Sequence, residues 1–585
     1  MSKSLILSLE NNNYYKEKDI LLAGEWVLEN RETEVDKKNY EIFYSKSDKK
    51  SYRKINCLNS DKIYENIIVD LSKELNSLHS VSLSSRAWNI IFGNWLKHFI
   101  NICYERNYLL FEILERYKIK NIYGIQNDNF KFCSDDTRSI YYSSSDEIWN
   151  NNFFYEILNY YDLPVEKNFK KIHNLNEKDE HKLIKKRTPI LKSLTLKFFG
   201  YLKFFIKKND AVITGTHMPF FYEKLLESSY LQVPQIYNPK QIFYEFYNED
   251  MRSRIKLPYS SEKNIDNFIR KKISKFLPIC FVESFKNIYE NCEKNFPSNP
   301  KFILTGYAFE HDENFKFYTA KKTSNKTPYY VLQHGNTYLV EDFVLNRCEY
   351  KVTNKFFTFG YGKKSFTKPF CNQITLGKSL KYKKEGLLHV IVSPLLNRVF
   401  SYDRSQEFNK SLRLVYEFEK QIDQRLKDKI LLRLNGEYFK TKRGKWLNKK
   451  YFKNFQKNQI DYGIEKSYMD NLKNSRINLF FYDSTGILEN LIYNVPTIGI
   501  WPNQYNHIED EFVEKYKFLK NANIIFDDLS SMINHLNNIW EDVGAWWFSD
   551  ETQDNISNFN KDFNKKGNLN SVFKLKNYIN NSLNS

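Results

Sequence analysis

Short apolar runs that stop at polar or glycine-containing turns, separated by helix-length segments, constrain this chain more than any other feature. Leu5–Leu9, Ala211–Thr214, Phe302–Leu304, Tyr329–Leu332 and Lys355–Phe359 have this form, as do His389–Val392, Ile430–Leu434, Ile477–Tyr482 and Thr497–Trp501. A strand covered by helices on both faces loses the apolar–polar alternation of a half-exposed strand, and parallel neighbours need a crossover segment between them. The pattern predicts an α/β fold. A chain of 585 residues exceeds what one core organises, so two such sheets are expected.

Residues 371–387 lose periodicity and turn basic, which places a linker there. The expected division is an acceptor-side α/β domain with helical insertions over 1–375, a Rossmann-like donor domain over 376–545, and C-terminal helices over 546–585 that cross back to the first domain. The polar stretch 166–192 reads as a surface insertion. Residues 194–208 read as an amphipathic helix with snorkelling lysines, with a membrane-surface helix as the alternative. A 41% hydrophobic and 17% aromatic composition excludes a disordered chain, and a net charge of +19 favours anionic partners. The seven cysteines form no CxxC pair, so neither a zinc knuckle nor a disulfide framework is expected. No run of 18 apolar residues occurs and the apolar start is too short for a signal peptide, so a cytoplasmic protein is expected.

The strongest local pattern runs from Asn478 to Trp501: strand, polar turn, helix, short turn, strand. Asp483-Ser484-Thr485-Gly486 falls where strand hands over to helix. Amides at a helix N-terminus lack intrahelical partners, and the macrodipole there favours an anion. Ser484 and Thr485 add hydroxyls, Gly486 permits close approach, and Glu489 lies one turn deeper, where a ribose diol would be held. The alternative is a capped helix with no ligand. Gln333-His334-Gly335 ends another strand and brings His334 to the carboxyl edge of a sheet, the edge at which ligands bind in open α/β folds. A buried histidine on a backbone carbonyl is the alternative. His217 closes the Ala211–Thr214 run and either faces the cleft or caps a turn. Arg433 either clamps a phosphate or sits in a salt bridge. Glu25, beside Gly24 and Trp26, either contacts a sugar or acceptor or caps a helix. The Arg86–Leu96 segment reads as helix packing. GxxxxGK[ST], HExxH and GxSxG are absent, as is an Asp-x-Asp pair at these strand ends, so no metal and no cofactor are expected.

The pairing of Gln333-His334-Gly335 with Asp483–Gly486, Glu489 and Asn494-Val495-Pro496-Thr497-Ile498 resembles glycosyltransferases of the two-Rossmann (B-type) fold. More narrowly, the chain is similar to a family of bacterial transferases associated with surface-polysaccharide genes. Gly24-Glu25-Trp26, Arg86–Leu96, Asp146–Asn150, Phe315–Ala320, Thr358–Gly360 and Trp546-Trp547 extend that likeness over nearly the whole chain. It departs after Gln-His-Gly, where Asn336 and Thr337 replace a longer glycine run. The resemblance implies two Rossmann-like domains facing a cleft, with extra N-terminal helices. It implies metal-independent transfer of a sugar from a nucleotide-activated donor to a surface glycan or lipid-linked glycan, with peripheral membrane contact and no nucleic acid. His334 and Glu25 would be catalytic. Ser484, Thr485, Gly486, Glu489 and Arg433 would bind the nucleotide, and Gln333, Gly335, His217 and Asp483 would line the cleft. A teichoic-acid-type polyol-phosphate transferase, a nucleotide-sugar 2-epimerase and a non-catalytic glycan-binding scaffold fit the same motifs.

Overall fold

The computed structural model describes residues 2–28, 40–46, 49–172, 202–237, 242–341, 347–362, 364–394, 405–464, 466–501 and 505–584. Within them lie three wholly parallel sheets. The first holds β1 (Lys3–Ile6), β2 (Ile20–Leu22), β3 (Tyr40–Ile42), β4 (Ile119–Gln126) and β5 (Glu166–Lys171), in the order β3-β2-β1-β4-β5. The second holds β6 (Val212–Thr214), β7 (Ile303–Thr305), β8 (Tyr329–Leu332), β9 (Lys355–Thr358) and β10 (Thr367–Pro369), in the order β10-β9-β8-β7-β6. The third holds β11 (Leu387–Ile391), β12 (Ile430–Arg433), β13 (Ile460–Asp461), β14 (Ser475–Phe480), β15 (Thr497–Ile500) and β16 (Ile525–Phe526), in the order β13-β12-β11-β14-β15-β16. That last order is the 3-2-1-4-5-6 of doubly wound dinucleotide folds, and the strand order reverses between β11 and β14.

The expectation of two sheets is therefore corrected to three. Part of the stretch read as a surface insertion is a strand: residues 166–171 form β5, paired to β4 at the edge of the first sheet. Its exposed lysines are how an edge strand blunts further pairing. Residues 173–201, including most of the stretch read as an amphipathic helix, lie outside the described residues.

Helices α1 (Lys50–His79) and α2 (Ser85–Arg116) pack against each other, and the Arg86–Leu96 segment behaves as packing, with Trp88 and Trp95 fully buried. One apolar core runs continuously from Leu5 of β1 through Trp95 to Val212, Tyr329 and Phe356, so the first and second sheets share it. The third sheet has a core on each face. One of them takes in Leu339, Val340 and Phe359 from the second-sheet region, beside Ile487 and Trp501. After α3 (Phe220–Ser229), α4 (Glu313–Ser324), α5 (Ser405–Gln421), α6 (Thr485–Tyr493) and α7 (Asp510–Asn521) come α8 (Asp550–Phe563) and α9 (Leu569–Asn584). α9 returns to the second sheet, packing on α3 with a 3.1 Å hydrogen bond from the Tyr330 hydroxyl to Ser582 Oγ. Among the described residues no helix is long and apolar enough to cross a membrane.

Burial holds His79, His389 and His535 neutral, each lowered to about 4 from 6.5. The unfolded chain therefore binds more protons at these sites, and acidification from pH 6.5 toward 4 destabilises the fold. Buried Glu227 and Asp312, raised to about 7 and about 6, and Glu489, also raised, act in the opposite direction, but His217, lowered to about 4, and His311, also lowered, join the three histidines against them. The melting temperature is expected to fall steadily from pH 6.5 to 4.5 in a calorimetric pH series; a flat or rising trend would contradict this assignment.

Candidate functional site

The carboxyl ends of β6, β7 and β8 bring together a cluster of ionisable rings and a carboxylate. His334 follows β8 and is held at both ring nitrogens. The Glu310 carboxylate lies 3.3 Å from Nε2, and the Tyr338 hydroxyl lies 3.2 Å from Nδ1. His217, after β6, stacks on His334 with ring centroids 5.6 Å apart and an interplanar angle of 20°. Tyr307, after β7, sits 4.2 Å from the His217 ring. His217 has φ +60°, a left-handed conformation that costs a non-glycine residue energy and persists only where the surroundings enforce it. An imidazole pinned between a carboxylate and a hydroxyl is held in one orientation, as a proton-transfer group requires.

Gln333 is buried at 6% exposure and staples this loop instead of lining an opening. Its amide nitrogen donates to Phe357 O, its side-chain oxygen accepts from Phe359 N at 2.8 Å, and its side-chain amide donates to Gly335 O at 2.7 Å. The backbone conformation at His334 is thereby fixed from both sides.

The turn after β14 lies at the switch point of the third sheet, and the loop after His334 touches it directly. Asn336 N donates to Thr485 Oγ1 at 3.1 Å, Thr485 Oγ1 donates to Asn336 Oδ1 at 3.1 Å, and Asn336 Nδ2 donates to Asp483 Oδ1 at 2.8 Å. A Cβ on Gly335 would lie 3.6 Å from Thr485 Oγ1. The structure thus brings together Gln333, His334, Gly335, His217, Asp483, Ser484, Thr485 and Gly486, which are far apart in sequence.

The turn's hydroxyls already have partners. Ser484 is the N-cap of α6: its hydroxyl accepts from Gly486 N at 3.1 Å and donates to the Tyr482 hydroxyl at 3.2 Å. Both hydroxyls expected to meet a phosphate, those of Ser484 and Thr485, are engaged within the turn and its Asn336 contact. An incoming anion must exchange with these bonds. α6 ends at Asn494, in the left-handed conformation with φ +56°, before Pro496. Glu489 stands one turn in, 3.4 Å from the Tyr493 hydroxyl; burial raises its pKa and the nearby Lys378 charge opposes that.

Arg433 and Glu25 are not brought to His334. Arg433 pairs with Asp461 at 2.5 Å beside Gly463, the salt-bridged alternative. Glu25 accepts from Tyr44 at 2.9 Å and Asn409 at 2.6 Å and pairs with Arg413 of α5, so it ties the first sheet to the third. Lys50 and Lys54 of α1 make a similar tie to Asp510, at 2.6 and 2.8 Å. The Glu25 carboxylate is thereby engaged in a tie between sheets.

Sequence reasoning missed Glu310, Tyr338, Asn336 and the partners behind the turn. Asp483 Oδ2 lies 3.0 Å from His507 Nε2, and one ligand atom each from Glu341, Asp483 and His507 fall within 4.8 Å of one another. Glu341 and His507 are 0% and 2% exposed, and the Asp483 side chain is 4% exposed. Two carboxylates and an imidazole are a donor set that suits a divalent cation. No motif spacing discloses this trio, because three separate segments supply it. A carboxyl-edge rule applied to every strand, β7 included, would have found Glu310.

A family model described as LIC12162 family transferase matches residues 3–574. No curated protein matches the chain.

Proposed function

The chain belongs to the LIC12162 transferase family, and we propose that the group it transfers is a sugar carried on a nucleotide, delivered to a hydroxyl of a bacterial surface glycan. The observation that supports this reading is the contact between the His334 loop and the turn at the third-sheet switch point, through Asn336, Asp483 and Thr485. It sets a proton-transfer group beside a helix N-terminus suited to a diphosphate.

In this mechanism the acceptor oxygen forms a bond to the anomeric carbon as the bond from that carbon to the diphosphate oxygen breaks. The acceptor proton passes to the His334 imidazole, and the diphosphate leaves with the bonding electron pair. Glu310 stabilises the imidazolium so formed, Tyr338 holds the ring orientation, and the Thr485 and Gly486 amides, the latter exchanged from Ser484 Oγ, stabilise the charge on the leaving group. Glu489 would accept from the ribose hydroxyls in its ionised form, which its raised pKa makes sensitive to mild acid. The reacting atoms need no metal in this scheme, and the buried Glu341–Asp483–His507 trio lies behind the turn as support. The acceptor is reached from the cytoplasmic side.

A thermal-shift and titration screen with nucleoside diphosphates tests the donor site, since a ligand of the native state raises its stability. Glu489→Ala is expected to weaken the best nucleotide about tenfold or more, the loss of two hydrogen bonds to a charged acceptor. An unchanged dissociation constant would remove Glu489 from the ribose site. Donor isomerisation without acceptor would point to an epimerase, and release of nucleoside monophosphate to a polyol-phosphate transferase.

A further inference from the structure

A second site lies away from this chemistry. A cavity of about 830 Å³ opens between β9, β10, the end of α8 and the start of α9. It shares no lining residue with the His334 cluster or the Asp483–Gly486 turn. Lys368, Lys561, Lys565, Lys566 and Lys574 line it, and no Asp or Glu does. Among the described residues none of these five lysines makes an ion pair. The nearest acid in sequence, Asp562, is turned to Lys515 at 3.5 Å. Five uncompensated positive charges around one concavity repel each other, and a bound anion relieves that repulsion.

The cavity is also rigidly built. Lys565 N donates to Phe359 O at 2.8 Å, and Asn372 N donates to Lys565 O at 2.9 Å. Gly360 and Asn564 form an antiparallel bridge, and Asn564 Nδ2 donates to Leu488 O of α6 at 2.8 Å. A Cβ on Gly567 would fall 2.6 Å from Leu376 and 2.7 Å from Cys371 Sγ, so the chain between the lysines is pressed against the floor. α9, 16 residues long, starts at this cavity with Asn568 and Ser571 in its lining, which adds the positive end of its macrodipole. Phe370 and Tyr578 supply an apolar wall, with Lys368 Nζ 4.8 Å from the Tyr578 ring.

We propose that this cavity binds a phosphorylated group carrying two or more negative charges, separately from any donor at the third sheet. The group is either a soluble phosphate ester or the headgroup of a lipid, chemically the same ligand to five ammonium groups. Since the inference rests on the charge and build of the cavity and not on His334 or the turn, it stands or falls apart from the transferase reading.

The test is isothermal titration of the full chain with sodium pyrophosphate, comparing the native protein with Lys566→Ala/Lys574→Ala and Lys566→Arg/Lys574→Arg. Both lysines are exposed, so unchanged melting temperatures are expected, and that measurement checks that the variants fold. The alanine pair is expected to lose affinity at least about tenfold at low salt, while the arginine pair keeps it. Pyrophosphate held at the Asp483–Gly486 turn is common to all three proteins and cancels in the comparison. Sedimentation with phosphatidylcholine vesicles, with and without phosphatidic acid, separates the sources. Binding that needs phosphatidic acid and is lost in the alanine pair identifies a headgroup; pyrophosphate binding without vesicle binding identifies a soluble ester. Equal isotherms and equal vesicle binding for the native chain and the alanine pair would overturn the proposal.

Discussion

Replacing His334 with alanine is expected to lower turnover by roughly 10²- to 10⁴-fold, the range for a positioned general base, while nucleotide affinity stays within about threefold. The ring contributes to the reacting proton and not to the nucleotide, whose expected contacts lie on α6. Glu310→Gln keeps shape and removes the charge 3.3 Å from Nε2 that would stabilise the transient imidazolium, so a smaller loss in turnover is expected. Single-turnover kinetics separate the two effects. Near-normal turnover in His334→Ala would remove the imidazole from the reaction, whatever binds at α6.

The second large effect is on stability. The Asp483 carboxylate accepts from Asn336 Nδ2 at 2.8 Å and meets His507 Nε2 at 3.0 Å, all in a buried setting. Asp483→Ala removes the acceptor that Asn336 and His507 share and opens a void between the second-sheet loop and the third sheet. A loss of about 2–5 kcal/mol is expected, because each orphaned buried polar group costs on the order of 1–3 kcal/mol. Urea unfolding followed by tryptophan fluorescence reads it. Asp483→Asn, which keeps an acceptor oxygen, should lose less. An alanine variant as stable as the native chain would mean that this junction does not hold the two regions together.

How much of this was visible beforehand depends on which strands are buried on both faces. β14 and β15 are wholly buried, and their apolar runs announce them; the same holds for β8 and most of β9. The first sheet was nearly illegible past β1. β4 interleaves Lys120, Asn121 and Gly124 with its apolar residues, and β5 is an edge strand of mostly polar residues. An edge strand bonded on one side has no need of an apolar run, so periodicity cannot separate it from a polar loop. With the interior strand β4 broken by polar residues as well, three sheets read as two.

The site divides along similar lines. Strand-end positions for His334 and the Asp483–Gly486 turn follow from local pattern, since a polar turn after an apolar run is where a parallel strand hands over to its helix. Their adjacency does not follow, because it depends on Asn336, a residue that in sequence looks only like a departure from a glycine run. Glu25 shows the same limit: a carboxylate beside glycine and tryptophan suggests a sugar contact, and nothing local announces its ion pair with Arg413, nearly four hundred residues away.

The most direct test of the account is photoaffinity labelling with azido derivatives of uridine, cytidine, guanosine and adenosine diphosphates, followed by peptide mapping. One of these probes is expected to label residues of the β14–α6 segment, with labelling reduced in Glu489→Ala and intact in His334→Ala. Labelling confined to the carboxyl edge of the first sheet, and indifferent to Glu489, would contradict it.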